Sequence, residues 1–223
     1  MQSATHLGHE LHESGNMDHD SAVKRAQFID KSVEIRSMFG FAAPADVLQA
    51  LKTYCSDFYG SMLWDLGGDK AAMVYSAWDT AIKLTWSCPR WTRTYILQNV
   101  LASTVTSAKT DILARYSKFC MGLQSSVCQE VKVLYNLVSR DLQSATARNM
   151  RFVKETAGID PRTVWPKQLK NILHSNSLVD IPPQDAWRLK YLQSLLGQLQ
   201  VAKQLAKEEI ISYTQDLINS LVI

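Results

Sequence analysis

His6, His9, His12 and His19 crowd the first nineteen residues, with Glu10 and Glu13 interleaved. Imidazoles and carboxylates are the ligands that zinc takes, so the first chemistry to weigh is metal binding. A tetrahedral site needs ligands converging from a fixed scaffold, as when two histidines four apart share a helix face. Steps of three along an extended segment put successive side chains on opposite faces instead. Other chemistries find less support still. The chain has no GxSxG, no GxxxxGK[ST] and no GxGxxG, and its cysteines have no histidine close by in sequence. Two-metal nucleotidyl transfer requires paired carboxylates, and no Asp-Asp pair occurs. The expectation is a chain with no catalytic residues, no metal and no cofactor.

Binding is better supported, because the charge is unevenly spread. Residues 1–21 carry −4, 22–82 carry −1, 83–154 carry +8, and 155–223 are neutral. A basic middle segment points to one face for an anionic partner rather than to diffuse basicity. Arg90, Trp91 and Arg93 follow the break at Pro89, and Trp91 between two arginines is a candidate for base stacking. Arg115 and Lys118 stand one helical turn apart. Arg148 and Arg151 continue the series with Arg140 and Lys154, and Lys24 and Arg25 begin an earlier helix. Cations on helix faces bind phosphates with an affinity that falls as salt releases fewer counterions. The alternative is that Arg115 only pairs with Asp111, four residues before it.

These residues must be positioned by helices. Only 9 Gly and 6 Pro punctuate 223 residues, and 46% of the chain is hydrophobic, enough for a core. An extended hairpin is expected over 1–17, with a turn at Ser14-Gly15-Asn16. A helix then follows from Asp18–Ser21 to Gly40, with Ala22, Ala26, Ile29 and Val33 on its inner face. A second helix begins at Pro44 and is expected to run through Val47, Leu51, Tyr54, Phe58 and Met62 to Leu66-Gly67-Gly68. A third carries Val74, Trp78 and Ala81 and stops before Cys88-Pro89. Further helices are expected at about 92–102, 107–121, 129–139 and 144–157. Gly158 to Pro183 reads as a linker with one short helix at 167–174. Residues 184–223 read as a terminal αα hairpin with Leu189, Leu192, Leu196 and Leu199 on one face. The expected class is mainly α: a multi-helix bundle over 18–157, between an N-terminal extended hairpin and a C-terminal helical one.

Cys55, Cys88, Cys120 and Cys128 form no CxxC pair and read as reduced structural thiols. No run approaches the roughly 18 apolar residues of a membrane span, and the polar N-terminus is unlike a signal peptide. An intracellular address, cytoplasmic or nuclear, follows.

Two stretches, FIDKSVEIRSMFGFAAPADVLQALKTYCSDFYGSMLWDL and VYSAWDTAIKLTWSCPRWTRTYILQNVL, carry a wider pattern. Trp78, Lys83, Trp86, Cys88, Pro89, Arg90, Thr92, Arg93 and Tyr95 fit WxxAxKLxWxCPRxTRTY. With Leu7-Gly8 ahead of a basic helix start at Lys24 and Arg25, the chain resembles the thumb and post-thumb region of LINE-type, non-LTR retrotransposon reverse transcriptases. The resemblance runs from about Leu7 to Ala157 and is expected to continue to Ile223. It implies that Leu7 and Gly8 belong to a primer grip, that the first helices form a thumb-like bundle against the template-primer duplex, and that downstream basic faces follow RNA or its DNA hybrid. The family's Asp-Asp motif lies upstream of the grip and is absent here, so the resemblance implies a non-catalytic carboxy-terminal fragment. The rival expectation is a helical protein-interaction scaffold whose partner docks on 184–223.

Overall fold

The computed structural model describes residues 3–6, 9–12, 17–40, 42–89, 91–100, 107–177 and 182–221; for the strands and part of the last helix it describes the backbone alone. Leu7, Gly8, Ser14-Gly15-Asn16 and Arg90 lie outside the described residues. Helices dominate, as composition requires. Strands β1 (Ser3–His6) and β2 (His9–His12) pair antiparallel with His6 opposite His9, so the chain reverses between those two residues. There follow α1 (Asp18–Met38), α2 (Pro44–Ala50), α3 (Asp69–Thr85), α4 (Thr94–Val100), α5 (Ala108–Gln124), α6 (Gln129–Arg140), α7 (Ala145–Ala157), α8 (Pro166–Ser177) and α9 (Ala186–Leu221).

The core begins where α1 crosses α3. Phe28 lies 5.6 Å from Trp78 and 5.9 Å from Phe58, and Phe58 meets Trp64 nearly edge-on at 6.3 Å. Such tilted rings suit the aromatic quadrupole and add to the area they bury. The inner face of α1 is rotated from expectation: Phe28, Ser32, Asp20 and Ser21 are buried, whereas Ala22, Ala26 and Val33 are exposed. Burying one Phe outweighs burying small alanines. Asp20 also turns inward, because the Trp64 indole Nε1 donates to its Oδ2 at 2.7 Å.

The second helix is shorter than its spacing predicts. After Ala50 the backbone passes into a π-turn, Leu51–Cys55, and the helix ends there. A π-turn admits one extra residue and shifts the register of everything beyond it. Tyr54, expected in the core, is therefore 65% exposed, while Phe58 is buried from outside the helix. The loop that follows is strapped to α7 by Asn149, whose Nδ2 donates to Trp64 O at 2.7 Å and whose Oδ1 accepts from Leu66 N at 2.9 Å. The loop approaches so closely that a Cβ on Gly67 would stand 3.1 Å from the Phe152 ring.

Two C-terminal expectations are corrected. The supposed linker is part of the core: Ser117 Oγ donates to Pro161 O at 2.8 Å, and Leu169 and Leu173 of α8 are buried against α5. The supposed αα hairpin is one continuous helix, α9, running through Gly197. A single helical glycine costs only about 1 kcal/mol relative to Ala. With no proline or Asn-Gly pair beside it, nothing turns the chain. Among the described residues no helix is long and apolar enough to cross a membrane.

Candidate nucleic-acid interface

The basic-aromatic residues of the sequence separate into a cluster gathered around Asp185 and an outward one on α5. The first joins α4 to the start of α9, with Trp91 and Arg93 about half exposed. Asp185, 1% exposed, accepts from the Tyr95 hydroxyl, from Arg188 Nη1, and from Arg93 Nη1 at 3.5 Å. The Tyr95 hydrogen bond, then Arg188 and Arg93, hold its carboxyl below the usual range against desolvation. Trp91 packs against Trp187 at 6.1 Å and Tyr191 at 6.0 Å. Trp91 and Arg93 thus have intramolecular partners that fasten α9, and each remains about half exposed.

The outward cluster is built on α5. Ser107 caps this helix by accepting from Thr110 N at 3.1 Å. Ile112, Leu113, Tyr116 and Cys120 fill the buried side, and the Tyr116 hydroxyl reaches Thr146 O at 2.8 Å. Steps of three and four then place Arg115, Lys118 and Gly122 together on the opposite side, and both cations are exposed. Arg115 is not paired with Asp111: that carboxylate meets Lys170 Nζ at 2.5 Å, and Arg115 reaches the Ser56 carbonyl at 3.5 Å.

Lys118 and Gly122 border two grooves. One, about 520 Å³, is also lined by Phe58, Tyr59, Met62 and Arg115. The other, about 810 Å³, runs between α5 and the start of α8 and takes in Arg162, Trp165, Pro166 and Lys167. Among the described residues no carboxylate lines either groove. Arg162 is bound through two nitrogens to Asp160, its Nη2 at 2.6 Å, and this fixes its fork and draws the Asp160 carboxyl below its ordinary range.

Trp165 is 68% exposed, yet its backbone is fastened. Its N–H donates to the Gln168 side chain at 3.2 Å, its carbonyl accepts from Leu169 N at 2.9 Å, and Pro166 follows as the first residue of α8. Glutamine three residues past the cap reaches back as in a capping box, and Pro suits that first position. The sequence Trp-Pro-Lys-Gln carried this signal. A cap residue whose backbone is consumed by a helix start tends to leave its ring outside, which periodicity within helices does not reveal.

The remaining expected residues stay apart. Lys24 is half-buried and Arg25 exposed on α1; Arg148 and Arg151 are exposed on α7, Arg148 donating to Gln143 O at 2.6 Å. None of the four lines the two grooves. A third cleft, about 260 Å³, brings Asp79 and Lys109 together with Tyr75 and Thr110. Burial pushes the Asp79 carboxyl up to about 6 although Lys83 pulls it down, and burial also lowers the Lys109 ammonium. Among the cysteines, all free, Cys55 and Cys120 are buried and Cys128 is exposed at the start of α6, where it does not serve the core as a structural thiol would. Burial pushes the Cys88 thiol up to about 11. Among the described residues no three His, Cys, Asp or Glu converge as a metal site would need.

Comparison with known protein families, with characterised proteins and with solved structures returns no match.

Proposed function

We propose that this chain is a non-catalytic nucleic-acid-binding segment of LINE-type reverse-transcriptase origin, contacting RNA or an RNA-DNA hybrid through the outward edge of α5. The observation that carries the reading is the set of Arg115, Lys118 and Lys167 around two adjoining grooves with no lining carboxylate among the described residues. Phosphate oxygens are the complementary ligand, since each contact gains from charge and from counterion release. The basic residues of α7 supply further positive potential that steers a polyanion toward the body. The proposed origin is supported by the sequence pattern around Trp78–Tyr95. An intracellular address accompanies this function.

The test is a salt titration of binding to an RNA-DNA hybrid. Affinity should fall linearly on logarithmic axes, with a slope of about −0.9 per neutralised phosphate on duplex. Undetectable binding at low salt removes the proposal.

One observation favours a second reading, a protein-interaction scaffold. Beyond its first turns α9 exposes Val201, Leu205 and Ile211. Concentration-dependent self-association lost on truncation after Leu192, without any nucleic-acid binding, would favour it.

A further inference from the structure

We infer that the groove between α5 and α8 is a single-strand site, in which an unpaired base stacks on Trp165 while the adjoining phosphates lie on Lys118 and Lys167. The inference rests on the nucleic-acid reading above and narrows it from a polyanion to an unpaired strand. Three observations lead to it. First, Trp165 is 68% exposed while its backbone is held from both sides by the α8 start, so the ring is presented to solvent from an anchored point of the chain. A stacking partner therefore gains contact area while ordering little of the protein, and stacking is indifferent to base identity. Second, Trp165 shares its groove with cations: Lys118, Lys167, and Arg162 with its fork fixed by Asp160. A strand that stacks a base must carry its phosphates alongside, which is where these side chains stand. Third, Gly122 borders both grooves, and a Cβ there would meet nothing within 4 Å. The path from the Trp165 groove toward Arg115 is consequently open along α5. A paired duplex offers no free base face except at its ends, so it would use the lysines and leave the tryptophan idle.

The experiment compares the full chain binding to labelled oligo-U, oligo-dT and a blunt hairpin duplex of equal phosphate number at low salt. The single strands should bind several-fold more tightly than the hairpin. Trp165→Ala should weaken oligo-U and oligo-dT about tenfold, as loss of one base-aromatic stack does, and leave the hairpin unchanged. Trp165→Phe should keep most of the affinity, and Gly122→Gln, which fills open space, should reduce single-strand binding with helicity intact. Equal binding of strand and hairpin, with Trp165→Ala silent and both sensitive to Lys118→Glu and salt, overturns the single-strand site while leaving the nucleic-acid reading standing. No binding to any of the three overturns both. A preference for oligo-U over oligo-dT would assign the strand to RNA, and equal affinity would mean that the site ignores the 2′-hydroxyl; either supports the inference.

Discussion

Trp91-Arg93 and Trp165-Lys167 are the same kind of sequence, a tryptophan with a cation two residues on, each within two residues of a proline. They meet opposite fates. The first faces a buried Asp185 and the rings of Trp187 and Tyr191, so its charge is paired and part of its aromatic surface is covered within the molecule. The second lines one lysine-bordered groove and leaves most of its ring in solvent. A basic-aromatic motif is therefore only an offer of contacts. Whether it fastens the fold or binds a ligand depends on which partner reaches it first.

Both regions hang on one framework, and the strongest test of the contrast removes that framework. Replacing Asn149 by Leu leaves the Trp64 carbonyl and Leu66 N–H unpaired in the core, which should cost on the order of 2–4 kcal/mol in chemical denaturation. Both regions should fail together; a loss confined to one would show that they are independent units.

The next test separates them. Arg115→Glu with Lys118→Glu should weaken hybrid binding by roughly two orders of magnitude at low salt and reduce the salt slope by about 2. Arg93→Glu should leave binding unchanged and instead raise hydrogen exchange at the start of α9. The reverse result would interchange the two roles.

Asp79 tests the framework by pH. Its carboxyl is raised to about 6 by burial, so the folded state holds a proton that the unfolded chain has released. Stability should therefore be full below about pH 4 and decline as pH rises through about 6, by on the order of 2 kcal/mol. Asp79→Asn should flatten that decline and stabilise the protein at pH 7, as thermal melts at pH 5 and 7 would show. The smallest effect belongs to Gly122→Ala. A Cβ there has open space, and Ala in a helix interior should add about 0.5–1 kcal/mol, with the α4–α9 corner unaffected.

Helix content, most helix locations and the buried Val74-Trp78-Ala81 face of α3 were legible in the sequence, because apolar spacing and breakers such as Cys88-Pro89 are local signals. Errors gathered where a distant partner intervened. The rotation of α1 depends on Trp64, forty-four residues past the Asp20 it bonds. The supposed linker was read from Gly158 and Pro161, yet Ser117 and the α5 surface draw it into the core. Of the candidate interface, the Arg115-Lys118 spacing was visible and its exposure is now seen, whereas Trp165 was passed over because it lies between helices.

By itself the sequence determined that the chain is helical, that its positive charge is concentrated in the middle, and that it lacks paired aspartates. These follow from residue type and near-neighbour spacing. Only the tertiary structure decided which cations remain outward, because that depends on carboxylates such as Asp185 and Asp111 brought close by folding. It also decided how much of each tryptophan stays free: Trp91 is partly covered by rings from α9 and is 48% exposed, and Trp165, anchored at its helix start, is 68% exposed.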